Sequence, residues 1–161
     1  MLPLMSEYLF SDLTVAAKTD DALIFCDINE RFTPNNGWYN FDQNRLVIFW
    51  GETYNGIKYA NTIISYIDKV EGLDESIKNE YLGRAYFHRA YRYLNLCFQF
   101  GDVPFVSKII DRPKQDYKST KREAIIKKLV QDMEFAVQHV PDQKDMTYIG
   151  MINKGACRQL L

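Results

Sequence analysis

Little in the sequence serves ordinary enzyme chemistry. Only two histidines occur among 161 residues, His88 and His139, and neither stands in HExxH or another metal-ligand spacing. GxxxxGK[ST], GxGxxG and GxSxG are all absent, so no phosphate cradle, dinucleotide turn or nucleophile elbow is encoded. Asp20 and Asp21 are neighbours, but on an extended backbone they point to opposite sides and make a poor general acid/base pair. The three cysteines, Cys26, Cys97 and Cys157, are scattered and form no CxxC pair; all three read as small buried hydrophobes, not as disulfides or metal ligands. The net charge of −1 provides no basic excess for nucleic acid. No apolar run approaches the ~18–20 residues that a membrane helix needs. The opening MLPLMSEYLF has no basic n-region and places Glu7 where an apolar h-region would lie, so it does not read as a signal peptide; taken literally, the chain is cytoplasmic. From these absences no catalytic residue, metal site or cofactor is expected, and the protein reads as a non-enzyme.

Rings are abundant: 11 Tyr, 10 Phe and 2 Trp, in a chain that is 47% hydrophobic and 25% charged and so reads as globular. Residues 3–18 are helix-compatible. The region 19–45, with Pro34, Gly37 and five Asn between positions 29 and 44, reads as a long loop. Beyond it, 46–161 reads as helical hairpins. Trp50, Tyr54, Ile57, Asn61, Ile64 and Ile67 share one face of a helix over 46–70, which Gly72 stops. A second helix runs from an Asp74 N-cap to Phe100, with apolar positions (Ile77, Tyr81, Ala85, Phe87, Tyr91, Leu94, Phe98) that nearly encircle it and predict burial on most sides. Gly101 ends it and Pro104 prevents its resumption, leaving VPFV as one short candidate strand. Ser119 or Thr120 is the expected cap of a third helix ending near Val140, and a fourth begins near Asn153 and is open where the sequence stops, which predicts a fragment of a longer chain. The fold class expected is mainly all-α: TPR-like stacked helical hairpins with long loops, although no clean 34-residue self-match exists.

Single residues refine this picture. Arg89 lies on a helix among Tyr86, Ala90 and Tyr93, where an unpaired guanidinium would be costly, so it is expected to tie to a carboxylate or to free carbonyls. Asn61 interrupts an apolar stripe and reads as a buried amide bonded to a neighbouring helix or loop. His88 reads as a packed interfacial side chain, and His139 as a last-turn residue at the negative end of its helix. The best site candidate is the loop TPNNGWYN. Trp38 and Tyr39 offer flat amphipathic faces, and Asn35, Asn36 and Asn40 offer amides. That combination suits a sugar, whose C–H faces stack on rings while its hydroxyls need hydrogen bonds. Trp38 as the hydrophobic anchor of a long loop stands beside that reading.

The segment GRAYFHRAYRYLNLCFQFGDVPFV resembles the hallmark helix of the SusD/RagB family, nutrient-binding outer-membrane lipoproteins of Bacteroidetes. Ala85, Phe87, Arg89, Ala90, Tyr91, Tyr93, Leu96, Phe100, Gly101, Asp102, Val103 and Pro104 fall in register with that family's pattern. Four further blocks agree in order: KTDDAL; the stretch with Trp50, Tyr54, Gly56, Ile57, Ala60 and Asn61; KREAIIKKLVQDMEFAVQHVP with Asp132, Ala136 and Pro141; and NKGACRQLL. His88, Cys157 and Arg158 depart from the pattern. The resemblance implies a partial SusD-like helical domain over 1–161, taken from the N-terminal half of a surface lipoprotein whose signal peptide and lipidated cysteine are not in this sequence. It further implies non-catalytic binding of glycans or other nutrients for delivery to a TonB-dependent, SusC-like transporter. The alternative kept open is a TPR-like scaffold for a protein or peptide.

Overall fold

The computed structural model describes the backbone of residues 38–110, 116–146, 148 and 150–161, with side chains from Val47 onward. The segment 3–18, Asp20, Asp21, Cys26, Asn35 and Asn36 lie outside the described residues. The chain divides into two compact units, Met1–Gly51 and Glu52–Leu161. Four α-helices are described: α1 (Trp38–Tyr66), α2 (Glu75–Phe100), α3 (Arg122–His139) and α4 (Lys154–Leu160). Short 3-10 turns cover Ile67–Lys69 and Gln143–Asp145. Among the described residues extended pairing is limited to an isolated antiparallel bridge between Val103 and Thr120, the remnant of the strand expected over VPFV.

Helix α1 begins at Trp38, not at Leu46, so the last part of the expected loop is helix. The helix-breaking Pro34 and Gly37 both precede Trp38. The Asn residues after it are indifferent helix formers but do not interrupt a helix. Gly72 and Gly101 carry the positive φ that the two chain reversals require, at 72° and 74°. Gly101 N–H still donates to Cys97 C=O at 3.1 Å, closing α2 before the chain turns away.

The start of α3 corrects the sequence reading. Neither Ser119 nor Thr120 caps it. Lys121 is the N-cap residue and its side chain makes no capping bond. Thr120 is held by its backbone instead, its N–H donating to Val103 C=O at 2.9 Å. The capping oxygen comes from the end of α2: Asp102 Oδ1 accepts the Arg122 N–H at 3.1 Å, and Asp102 Oδ2 pairs with Lys121 Nζ at 2.8 Å. The Asp of Gly-Asp-Val-Pro thus joins the two helix ends. Asp74 does start α2, but through its carbonyl, which accepts the Lys78 N–H, and not through its side chain.

Within Glu52–Leu161, α2 runs antiparallel to α3, since Gly83 meets Ala136 and Val140, Arg89 meets Asp132 and Asp102 meets Arg122. It also runs antiparallel to α1, with Tyr54 against Tyr93 and Asn61 against Arg89. The α2–α3 approach is close at Gly83, where an added Cβ would lie 2.9 Å from Val140 Cγ2 and 3.3 Å from the Ala136 Cα. Tyr86 and Phe135 pack edge to face beside it, 5.3 Å between centroids. Ile125, Leu129, Met133, Ala136 and Val140 form the buried stripe of α3, and Ile57, Ala60 and Ile67 that of α1 and its 3-10 turn. The expectation that α2 is buried nearly all round fails. Ala85, Phe87, Ala90, Tyr93, Leu96 and Cys97 are buried, but Ile77 and Tyr81 are exposed and Phe98 is 78% exposed. Apolar residues around a helix do not by themselves supply neighbours on every side.

Helix α4 packs on α3. It starts at Asn153 as expected, and Asn153 caps it, its Oδ1 accepting from Ala156 N–H at 2.9 Å; Cys157, within the helix, is buried. Lys154 N–H donates to Pro141 C=O, and Arg84 Nε reaches Ile152 C=O at 3.3 Å from α2.

Candidate functional site

Four polar or charged side chains are buried among the described residues: Thr53, Asn61, Arg89 and Asp132. Three of them meet. Arg89, 3% exposed, donates from Nε and Nη2 to Asp132 Oδ2 at 2.9 and 2.5 Å, and from Nη1 to Asn61 Oδ1 at 3.0 Å and Ser107 C=O at 3.3 Å. Its guanidinium also lies over the Tyr86 ring, 5.1 Å from the centroid. Lys128 Nζ takes the other carboxylate oxygen, Asp132 Oδ1, at 3.1 Å. Asn61 Nδ2 then donates to Val106 C=O at 2.8 Å. This cluster links α1, α2 and α3 and fastens to them the extended segment that follows Gly101.

Two tyrosines complete the fastening. The Tyr93 hydroxyl accepts the Val106 N–H at 2.6 Å and donates to Val106 C=O at 3.1 Å, while Tyr54 donates to Pro104 C=O at 2.7 Å. The two rings meet edge on, 6.3 Å between centroids. Burial pushes both phenols well above the usual tyrosine range; at Tyr93 the Val106 bond pulls partly the other way. A strap from Gly101 to Ser107 is thereby pinned at Gly101, Pro104, Val106 and Ser107.

The tie expected of Arg89 and the loop bond expected of Asn61 are both present. Tyr54 and Tyr93 were read from sequence as packing rings, and their bonds to the strap were not anticipated. The available signal was their helical spacing from Asn61 and Arg89. Cys97 and Cys157 are free, buried thiols whose burial raises their pKa, so neither is an activated nucleophile. His88 is held below the ordinary histidine value, first by desolvation and then by Arg92. His139 stacks at a tilt on Phe135, 4.2 Å between centroids. Among the described residues no cluster of three His, Cys, Asp or Glu could hold a metal, and no helix is long and apolar enough to cross a membrane.

The sugar-site candidates fall at or beyond the border of the described residues. Trp38, Tyr39 and Asn40 have helical backbone in α1, and Asn35 and Asn36 lie outside. A separate groove of about 450 Å³ lies between the end of the strap with its continuation, Phe105 to Ile110, and the returning segment Asp116–Lys118.

Comparison with known proteins places this frame. Residues 6–161 match the model of a SusD-like family described as starch-binding and associating with the outer membrane. SusD-like protein P2 of Formosa agariphila is 30% identical over 110 residues, which cover 67% of this chain and 22% of that protein. A SusD superfamily protein from Parabacteroides distasonis superposes with a TM-score of 0.64 at 26% identity, over 70% of this chain and 24% of its own. A laminarin-binding SusD-like protein superposes with a TM-score of 0.61 at 24% identity, over 70% and 24%. The chain belongs to the SusD-like family, and its helices are those of the family's helical fold. It spans about a fifth of the length of the curated relative it matches.

Proposed function

We propose that the protein of which this chain forms part binds glycans or related nutrients at the bacterial cell surface, without catalysis, as an outer-membrane lipoprotein. It hands them to a TonB-dependent, SusC-like transporter. The family match over residues 6–161 carries the reading. The laminarin-binding relative lends it a ligand class.

The ligand contacts proposed are Trp38 and Tyr39 as stacking faces and Asn35, Asn36 and Asn40 as hydrogen-bonding amides. Stacking on an aromatic platform is worth about 1–3 kcal/mol. Trp38→Ala in the full-length protein is therefore expected to weaken binding of a responsive glycan by roughly 5- to 150-fold, measured by calorimetry across a glycan panel. Unchanged affinity removes Trp38 from the site. Co-purification of a large outer-membrane β-barrel supports the transporter partnership. A full-length protein that ignores every sugar and binds a peptide supports the scaffold reading instead.

A further inference from the structure

The groove beside the strap has a fixed floor and an open charge pattern. Its inner edge cannot drift, because the peptide groups of Val106 and Ser107 are held by Tyr93, Asn61 and Arg89. Its mouth is closed at the base by the Val103–Thr120 bridge, which holds the outgoing and returning segments together. Each segment contributes one lysine to the lining, Lys108 from the strap and Lys118 from the return. Both lysines are exposed, and neither ammonium is in an ion pair among the described residues. Among the described lining residues Asp116 is the one carboxylate, against two lysines. Beside the lysines lie apolar and amphipathic surfaces, Phe105, Ile110 and Tyr117.

A ligand that fits this pattern has a flat, partly apolar ring and an anion on its edge. We propose that the groove is a subsite for a negatively charged sugar unit, with the carboxylate or sulfate ester held between Lys108 and Lys118 and the ring lying along Tyr117 and Ile110. The proposal rests on the glycan-binding reading and narrows its ligand class at a place distinct in sequence from Trp38. Two ammoniums acting on one anion outweigh a single exposed ion pair, and the strap's fixed backbone lowers the ordering cost of binding.

The test is calorimetry on the full-length protein with trigalacturonate, its neutral methyl ester and a κ-carrageenan tetrasaccharide, beside a panel of neutral glycans. At least one of the two anionic probes is expected to bind about tenfold or more tighter than neutral sugars at low salt, with the advantage shrinking as salt rises. Trigalacturonate against carrageenan distinguishes carboxylate from sulfate ester. The double variant Lys108→Gln, Lys118→Gln is expected to lose that advantage with an unchanged circular dichroism spectrum, and Lys108→Arg, Lys118→Arg to retain it. A neutral methyl ester that binds as tightly as the better of the two anionic probes, or a double Gln variant that binds that probe as the parent does, overturns the subsite. Binding of neutral glycans alone, sensitive to Trp38→Ala, overturns the subsite and leaves the glycan reading standing. Binding of no sugar at all removes both.

Discussion

Arg89 offers the sharpest test of how this frame is held. Arg89→Met keeps most of the stem volume and removes all four donated bonds. Asp132, 2% exposed, then keeps only Lys128 on its far oxygen, and Asn61 Oδ1 and the Ser107 carbonyl lose the donor they shared. Removing one partner of a buried ion pair costs about 3–5 kcal/mol. Against a typical net stability of about 5–15 kcal/mol, that is a large share. Asp132→Leu strands the guanidinium and is expected to cost about as much. The double variant has no stranded charge. What remains is the two acceptors deprived of Arg89, at roughly 1–3 kcal/mol, so it should be far less damaged than the sum of the single changes.

The assay is urea unfolding of the four species of this cycle in the full-length protein, followed by circular dichroism with slopes compared. Arg89→Lys keeps a charge that Asp132 can hold but lacks the fork that also reaches Asn61 and Ser107, so it should fall between parent and Arg89→Met. It also supplies a measurable species should the single deletions unfold. A loss under about 1 kcal/mol for Arg89→Met, or a cycle that is additive, refutes the claim that this pair joins the helices and the strap.

Four other predictions concern the same frame. Tyr93→Phe leaves the Val106 N–H unsatisfied and should cost about 1–3 kcal/mol, against about 1 for Tyr54→Phe, in the same unfolding assay. Because both phenols are raised when folded, the folded chain keeps protons that the unfolded chain has released. Their contribution is thus intact below the ordinary tyrosine value of about 10 and lost as pH climbs beyond it, with phenolate absorbance appearing together with unfolding. Gly83→Ala gains about 0.5–1 kcal/mol of helix propensity but drives a Cβ against Val140 and the Ala136 backbone, so its thermal midpoint should fall; Gly56→Ala displaces only the Arg92 side chain and should stay near neutral. Asp102→Ala should speed amide exchange in the first turn of α3. In the parent, where Lys121 and the Arg122 N–H hold the Asp102 carboxyl below the usual range, the cap should persist down past the ordinary Asp value of about 4 and loosen only as acid protonates the folded carboxyl.

Helix identity was legible because the punctuation is strong: Gly72, Gly101 with Pro104, Pro141 and Asn153 each end or begin an element near where the residue type demands. The role of Arg89 was legible for a different reason. A guanidinium among rings has few affordable fates, and a tie to a carboxylate is the commonest. Its partner was not legible, because Asp132 lies 43 residues away and only the antiparallel pairing of α2 with α3 brings it near. The cap of α3 failed for the same reason. Ser119 and Thr120 are locally better caps than Lys121, but the bridge to Val103 takes the Thr120 backbone and leaves Asp102, 20 residues upstream, to satisfy the helix. The start of α1 was missed because Asn-rich composition was read as loop across residues that nothing prevents from coiling.

What is conspicuous in the sequence and what selects a ligand are therefore different residues. Arg89, Asn61, Tyr93 and the Gly-Asp-Val-Pro turn stand out because a buried polar cluster tolerates few substitutes, yet the hydrogen-bonding atoms of that cluster face one another or the strap. Buried at the helix junction, it has no surface to offer a sugar. On the proposed function, selectivity falls to side chains that leave the frame intact when changed, those proposed around Trp38 and along the groove. A frame this legible can accordingly carry ligand preferences that sequence pattern alone does not reveal, and exchanging Lys108 and Lys118 should alter binding without touching stability, while exchanging Arg89 should cost stability and, through the Ser107 carbonyl it holds, loosen the edge of the groove as well.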